Sequence, residues 1–248
     1  MSGAMRILIG LPTYGDYLRV NCVAALMALA EQLRAYGIEA EMRFVSVARI
    51  EVARNLLASL ILREPGYSHL LFIDSDVGFR PEAVLRMIAK DADVAACTYP
   101  SRQLNLAAFA EQARKTDDVP KALAKALSFP PLGEADGDTI DIVEGWVKVK
   151  QAPTGLMLIK REVFETLVER HPELVLRDAD YLGMPERGVV LQCFSPYQRE
   201  DGLLMGEDMS FCRRWTDAGG EIQLLVDEVL SHAGVTTYEA SLIQALLD

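Results

Sequence analysis

The chain has 248 residues, half of them apolar, and this is enough to build one good-sized hydrophobic core. Its formal net charge of −11 excludes the broad basic surface that extended binding to nucleic acid or to anionic membranes requires. The four cysteines contain no CxxC pair, and no apolar run reaches the ~18 residues of a membrane span. We therefore expect a single cytoplasmic domain over residues 1–248, with reduced thiols.

Strand-like and helix-like segments alternate through the first hundred residues. Such alternation predicts an α/β fold with a doubly wound, mostly parallel central sheet, in which ligands bind outside the carboxyl ends of the strands. Neither a GxGxxG nor a GxxxxGK[ST] motif is present, which argues against ordinary dehydrogenases and P-loop enzymes. Strands are expected at residues 5–12, 38–45, 69–74 and 93–100, and helices at residues 17–37, 47–66 and 81–90.

The second half of the chain has a less regular pattern. A polar helix at 105–115 precedes a Pro-, Gly- and acid-rich segment at 129–138 that is typical of an exposed loop. The chain from 171 to 205 is irregular, and a C-terminal helix at 238–247 is expected to pack on the domain or to form a homodimer surface. The remaining elements are two strand-like pieces within 147–159, helices at 161–170 and 206–220, and a strand from 221 that runs into a loop containing His232.

Asp74 is the last residue of the apolar run HLLFID, and Asp76 is the second residue of its continuation, SDVGF. Side chains at i and i+2 of extended backbone project to one side, and at ~5 Å two carboxylates repel by about 3 kcal/mol at an effective dielectric of 20. A divalent cation relieves this repulsion directly: oxygen ligands favour Mg²⁺ or Mn²⁺, and an added imidazole favours Mn²⁺. The alternative is that Ser75 or Asp76 only caps the turn before a helix that begins near Pro81.

The ordered set PTYG, ARN, LLFIDSDVGF, APTGLMLIKREVF, GED and SHAG resembles the glycosyltransferases of the GT-A fold over roughly residues 5–234. The resemblance implies a metal-dependent transfer of a hexose from a nucleotide diphosphate sugar, UDP-sugar first and GDP-sugar second, to a hydroxyl acceptor that the sequence does not identify. It also implies a nucleotide-sugar-binding half at 1–100 and a smaller acceptor-binding and catalytic half at 101–248.

The same resemblance gives roles to individual residues. Asp76 would bind the metal on the diphosphate, Asp74 would hold the ribose or share the metal, and His232 would be a third metal ligand or a simple turn residue. Gly155 would allow a close backbone approach at the donor sugar or the acceptor, or serve a plain turn. The residues implied for the donor site are Thr13, Tyr14, Arg54, Asn55, Asp74, Ser75, Asp76 and Gly155.

Glu207 and Asp208 stand at the start of a predicted helix. Acids there stabilise a helix by ~0.3–1 kcal/mol through its dipole, and Asp208 is a suitable N-cap. The resemblance instead implies the acidic pair of inverting enzymes, with Asp208 as the first candidate for the base and Glu207 as the second. The GED sequence favours inversion and His232 favours retention, so the stereochemistry stays open. Arg49 and Arg102 are further candidates for contact with phosphate oxygens.

Two other classes of protein fit parts of the pattern. A haloacid-dehalogenase-like phosphohydrolase would use Asp74 as its nucleophile, but Gly78 and the α/β segment that precedes the motif depart from that pattern. A non-catalytic nucleotide-sugar-binding module is the remaining alternative. Nucleotidyltransferases usually carry a Gly-rich phosphate loop with a basic residue near the first strand, and TYGDY offers neither.

Overall fold

The structure, a computed structural model, describes residues 5–130, 141–177 and 189–236, together with the backbone of 180–181 and 184–185. Most of the loop expected at 129–138 and the helix expected at 238–247 lie outside these residues. The strands are β1 (Arg6–Thr13), β2 (Glu39–Ser46), β3 (His69–Ile73), β4 (Val77–Gly78), β5 (Val94–Cys97), β6 (Trp146–Val149), β7 (Leu156–Lys160), β8 (Val175–Arg177), β9 (Asp180–Tyr181), β10 (Met184–Pro185), β11 (Val189–Leu191), β12 (Tyr197–Gln198), β13 (Leu204–Met205), β14 (Ile222–Leu225) and β15 (Ser231–His232). The helices are α1 (Val20–Ala35), α2 (Ile50–Arg63), α3 (Pro81–Lys90), α4 (Leu106–Ala113), α5 (Val119–Ala126), α6 (Arg161–Arg170) and α7 (Glu207–Asp217), with a 3₁₀ turn at Pro172–Leu174.

A seven-stranded sheet, in the order β2-β1-β3-β7-β5-β14-β6, forms the centre of the described chain. The β1–β2, β1–β3 and β5–β14 pairs are parallel, whereas β7 is antiparallel to both of its neighbours and β6 is antiparallel to β14. Five strands therefore run in one direction and two in the other. This confirms the predicted α/β class with a mostly parallel central sheet.

Alternating side chains of the central strands pack on opposite faces of the sheet. On one face, Leu8 of β1 and Phe72 of β3 join apolar residues of α2, α6 and α7. On the other face, Ile9 of β1 and Leu71 of β3 join residues of α1 and α3. Because both faces are covered by helices, the central strands are apolar throughout, and this explains the uninterrupted apolar runs in the sequence.

Several helix boundaries agree with the sequence signals, and a few details differ. Pro81 is the first residue of α3, and Gly37 follows α1 with a φ of +68°. The N-cap of α3 is Arg80, so neither Ser75 nor Asp76 caps this helix. Helix α7 has Gly206 at its N-cap, so Asp208 lies inside the first turn and is not the cap.

The segment around His232 also differs from the predicted loop. Ser231 and His232 form the short strand β15, which pairs with β4 in the register Ser231–Gly78 and His232–Val77. A two-residue strand leaves no period-2 signal in the sequence, and its partner lies about 150 residues away, so local patterns could not reveal it. The pairing places His232 beside the residue that follows Asp76.

A polar face of α2 holds the segment that precedes α7. Asn55 accepts a hydrogen bond from the Phe194 amide at 2.8 Å and donates to the Ser195 hydroxyl at 3.1 Å, and the Ser59 hydroxyl accepts from the Leu191 amide at 3.0 Å. The Phe194 ring is stacked on Phe211 of α7 with centroids 4.6 Å apart. These contacts fix the position of α7 relative to the sheet.

The hydrophobic core predicts a large energetic effect for one residue of α7. Phe211→Ala removes a fully buried ring that contacts Phe194 and Phe164, so we expect the free energy of unfolding to fall by about 3–5 kcal/mol in urea denaturation. The control is Phe44→Ala, where the ring is 54% exposed and the expected change is about 0.5 kcal/mol or less. Equal losses for the two variants would contradict the position of Phe211 in the core.

No helix within the described ranges is both long and apolar enough to cross a membrane.

Candidate active site

A cleft of about 420 Å³ lies at the edge of the sheet where the parallel strands end. Strands β1, β3 and β5 deliver their carboxyl ends to this edge, and the first turns of α2 and α7 close it. Ligand sites in open α/β sheets concentrate at this edge, in agreement with the sequence-based expectation. The cleft is lined by Pro12, Thr13, Tyr14, Tyr17, Val47, Ala48, Ile50, Ala53, Arg54, Asp74, Ser75, Asp76, Tyr99, Arg102, Glu207, Asp208 and His232.

The reversed direction of β7 brings Gly155 beside Asp74. Because β7 is antiparallel to β3, its amino end lies at the same edge as the carboxyl end of β3, with Leu156 opposite Ile73. The Asp74 amide donates to the Gly155 carbonyl at 2.9 Å. A Cβ at position 155 would lie 2.8 Å from Asp74 Oδ2 and would clash with the Tyr99 hydroxyl. Gly155 is therefore required for close packing beneath the cleft floor.

The guanidinium of Arg54 connects the carboxyl end of β3 to the start of α7. We call β3, which leads into Asp74 and Asp76, the aspartate strand. Its Nη2 donates to Asp74 Oδ1 at 3.0 Å and to Oδ2 at 3.3 Å, while Nε lies 3.7 Å from Glu207 Oε1 and 3.8 Å from Asp208 Oδ1. The side chain is only 2% exposed and also packs over the ring of Phe72. Burial alone would lower the pKa of Arg54, but the surrounding carboxylates raise it above its ordinary value. Arg54 is thus permanently charged.

Two nitrogens of Arg54, Nε and Nη1, are buried without a hydrogen-bond partner. A buried donor without a partner costs free energy comparable to a lost hydrogen bond. The ion pairs of Nε with Glu207 and Asp208, at 3.7 Å and 3.8 Å, offset part of this cost.

Asp208 has the environment of a general base. The Thr154 hydroxyl donates to its Oδ1, and the side chain is 30% exposed towards the cleft. Burial, together with the nearby Glu207 and against the opposing charge of Arg54, raises the pKa of Asp208 to about 6. A carboxylate with this pKa is mostly ionised at neutral pH and remains basic enough to accept a proton.

Asp76 is held between two nitrogen-bearing side chains. Arg102 Nη1 donates to Asp76 Oδ2 at 2.7 Å, and His232 Nε2 lies 3.5 Å from Oδ1. Burial opposes ionisation, but the interactions with His232 and Arg102 outweigh it and lower the pKa of Asp76. The interaction with Asp76 in turn raises the pKa of His232, against the effect of its burial.

The tautomer of His232 follows from its other contact. Its Nδ1 lies 2.9 Å from the carbonyl oxygen of Pro100, which can only accept, so Nδ1 carries a proton. In the neutral ring, Nε2 therefore presents a lone pair towards the Asp76 carboxylate. Two acceptors that face each other require a proton or a cation between them.

The residues present fit a divalent cation only in part. Asp76 Oδ1 and His232 Nε2, 3.5 Å apart, are close to the ~3 Å separation of neighbouring ligands around a small octahedral ion. The carboxylate of Asp74 bonds to Arg54 instead. Across the described residues, no group of three or more His, Cys, Asp or Glu side chains is arranged as a metal site. The Asp74–Asp76–His232 set predicted from the sequence is thus not assembled, whereas the Asp76–His232 pair is.

The structure brings together most of the residues that the sequence singled out. Thr13, Tyr14, Arg54, Asp74, Ser75, Asp76, Glu207, Asp208 and His232 all line the cleft. Gly155 lies directly beneath it, whereas Asn55 points to the Phe194–Ser195 segment and has a structural role there. Arg49 forms an ion pair with Glu51 on α2, and Arg102 reaches Asp76.

Among the hydroxyl-bearing residues of the site, sequence reasoning missed three. Tyr99 is buried between Gly155 and the ring of His232, with the two ring centroids 5.0 Å apart, and burial raises its pKa well above the ordinary value. Thr154 and Tyr17 were also missed. The signal for Tyr99 was present, because TYP follows β5 as TYG follows β1, and both tripeptides end a strand at the same edge.

A second cavity, of about 540 Å³, lies at the opposite edge of the sheet, where β1 and β2 begin. Its charged lining residues are Arg6, Arg34, Glu39 and Glu41, and Arg6 pairs with Glu39 at 3.7 Å and with Glu41 at 3.4 Å. We place the functional site at the smaller cleft, because the carboxylates, imidazole and guanidiniums converge there.

No protein-family model and no curated protein matches this chain. Solved structures similar to it include A197 from STIV, with 17% identity, coverage of 93% of this chain and 87% of that chain, and a TM-score of 0.49. Another is GalNAc-T7 with UDP, GalNAc and Mn²⁺, with 10% identity, coverage of 92% and 43%, and a TM-score of 0.49. A third is a Drosophila β1,4-galactosyltransferase 7 mutant with manganese, UDP-Gal and xylobiose, with 11% identity, coverage of 98% and 79%, and a TM-score of 0.45.

The packing beneath the cleft predicts a cost for a single methyl group. Gly155→Ala forces Tyr99 or Asp74 to move, so we expect the free energy of unfolding to fall by about 1–3 kcal/mol in urea denaturation. The control is Gly206→Ala, because a Cβ there has no neighbour within 4 Å and the φ of −65° suits any residue. An unchanged stability of Gly155→Ala would contradict the close approach.

Proposed function

We propose that this protein is a metal-dependent glycosyltransferase of the GT-A type, which transfers a hexose from a nucleotide diphosphate sugar to a hydroxyl acceptor. The observation that carries the proposal is the Asp76–His232 pair at the end of the aspartate strand, with its two acceptor atoms facing each other inside the cleft. The ordered motifs that resemble GT-A enzymes support it.

The charge of the cleft gives independent support for a cation. Four carboxylates, those of Asp74, Asp76, Glu207 and Asp208, face only the two guanidiniums of Arg54 and Arg102. The excess is two negative charges when His232 is neutral and Asp208 is ionised. A donor diphosphate adds more negative charge, so its binding here requires a cation of about the opposite charge.

We assign distinct tasks to the residues of the cleft. Asp76 and His232 would hold Mn²⁺ or Mg²⁺, which, when bound, neutralises the charge that grows on the departing diphosphate. Tyr14 and Tyr17, 68% and 49% exposed at the rim, offer ring faces to the nucleoside, and Thr13 and Ser75 lie at its floor. Asp74 is fixed by Arg54 and presents its carboxylate to ribose or sugar hydroxyl groups.

The chemical step then uses Asp208. An acceptor hydroxyl attacks the anomeric carbon, the bond from that carbon to the diphosphate oxygen breaks, and the hydroxyl proton passes to Asp208. This assignment gives inversion of configuration. In a retaining reaction, Glu207 and Asp208 would instead bind the acceptor or the sugar. Residues 1–100 would form the donor half of the domain, and residues 101–248 the acceptor and catalytic half.

The competing functions fit the site less well. In a phosphohydrolase of the dehalogenase type, Asp74 would attack phosphorus, but both of its oxygens accept from the buried Arg54, which withdraws charge from the nucleophile. A binding module without turnover would not need a carboxylate with the pKa of Asp208. A nucleotidyltransferase would release pyrophosphate from a nucleoside triphosphate. An assay for pyrophosphate release therefore distinguishes this activity from glycosyl transfer.

The first test is calorimetric titration of UDP, GDP, CDP, ADP and their common sugar conjugates with Mn²⁺, with Mg²⁺ and with a chelator. We expect one nucleotide family to bind in a metal-dependent manner and Asp76→Asn to lose that binding, because the variant removes a charged ligand of the cation. Asp117→Asn, an exposed aspartate between α4 and α5, is the matched control and should bind like the wild type.

Metal-independent binding, or unchanged binding in Asp76→Asn, would contradict the assignment of Asp76. Absence of binding to every nucleotide would contradict the proposed function. In that case, trapping of an aspartyl-phosphate at Asp74 and release of pyrophosphate from nucleoside triphosphates are the next assays.

The pKa of Asp208 predicts the pH dependence of transfer. Because the base must be deprotonated, kcat/KM should rise as the pH increases through about 6 and level off above it. Thr154 donates to Asp208 and so lowers its pKa; Thr154→Val should therefore move the profile to higher pH. The control is Thr116→Val. Thr116 lies in the segment between α4 and α5 and does not line the cleft. A profile that stays in place in Thr154→Val would argue against Asp208 as the base.

A further inference from the structure

The side chain of Arg102 reaches the cleft from its solvent-exposed side. Its side chain is 54% exposed, and its stem crosses Gly234, where a Cβ would lie 2.9 Å from Arg102 Cδ. Its guanidinium donates to Asp76 at 2.7 Å. Arg54, the other guanidinium of the cleft, is buried and fixed by three carboxylates, so Arg102 is the cleft arginine that can exchange partners.

The two oxygens of Asp76 face different groups. Oδ1 lies opposite His232 Nε2, whereas Oδ2 accepts from Arg102. A cation held by Asp76 and His232 would share this carboxylate with the guanidinium, and the two positive groups would repel each other. A diphosphate offers Arg102 oxygens of the same kind as the carboxylate, in a geometry that a guanidinium binds with two parallel hydrogen bonds.

We propose that Arg102 is a phosphate-binding residue that bonds to Asp76 in the ligand-free protein. When the divalent cation binds, the Arg102 guanidinium moves from Asp76 to the donor diphosphate. This inference rests on the proposed function. Its consequence is a coupling between the two ligands: the cation binds weakly while Arg102 occupies Asp76 and more tightly when a diphosphate draws Arg102 away. By linkage, the cation strengthens diphosphate binding by the same factor.

The test is calorimetric titration of MnCl₂ into the protein with and without saturating UDP, or the member of the nucleotide panel that binds, after subtraction of Mn²⁺ binding to the nucleotide itself. In Arg102→Met, we expect Mn²⁺ alone to bind about two- to ten-fold more tightly than in the wild type, because the competing charge is gone. The nucleotide should bind more weakly, and the coupling factor should be smaller than in the wild type, because only the direct attraction between cation and diphosphate remains.

The matched control is Arg114→Met at the end of α4, an exposed arginine whose loss changes the net charge equally. Its Mn²⁺ affinity and coupling factor should equal those of the wild type, and far-UV circular dichroism checks that both variants are folded. Equal or weaker Mn²⁺ binding in Arg102→Met, or the same gain in Arg114→Met, would overturn the inference about Arg102 alone. A wild-type protein that binds neither Mn²⁺ nor any nucleotide would overturn the proposed function.

Discussion

The site depends on the ion pairs that the buried guanidinium of Arg54 forms with three carboxylates. Asp74 ends a strand of the sheet, and Glu207 and Asp208 begin a helix more than 130 residues later, so no local force brings these acids together. A permanently charged group that all three acids approach within 4 Å offsets their mutual repulsion. A complete set of buried charges adds little to the free energy of unfolding. Removal of one member destabilises the protein strongly, because it leaves an uncompensated buried charge. Arg54 therefore organises the cleft as well as lining it.

The direction of β7 is the second constraint on the site. A purely parallel sheet would place the start of this strand at the far edge, away from Asp74. Its antiparallel direction puts Thr154 and Gly155 at the cleft, where Thr154 donates to Asp208 and Gly155 supports Asp74. One topological feature thus connects the hydrogen-bond donor of the candidate base to the backbone of the aspartate strand. It also explains why APTG must contain a residue without a Cβ.

The sequence predicted the sheet class and most of the cleft because both leave short-range signals. Uninterrupted apolar runs indicate strands covered on both faces, and polar residues that follow such runs mark the functional edge. The resemblance carried by ARN implies that Asn55 lies beside the nucleotide together with Arg54. Adjacent residues of a helix point in directions about 100° apart, however, and Asn55 bonds to Phe194 and Ser195. The hydrogen bond between Arg54 and Asp74, and the pairing of His232 with Val77, depend on long-range contacts that no spacing encodes.

The charges of the cleft connect its parts into one device. At the back of the cleft, Arg54 faces the three carboxylates of Asp74, Glu207 and Asp208 and compensates only one of their charges. At the front, Arg102 balances the charge of Asp76 beside His232. The excess negative charge therefore lies at the back. The hydrogen bond with Asp76 raises the pKa of His232, against the effect of its burial. The excess negative charge behind this pair attracts cations into the cleft. In the proposed function, it would also repel an anionic donor that arrives alone. A cation and a diphosphate would therefore stabilise each other's binding at the end of the aspartate strand.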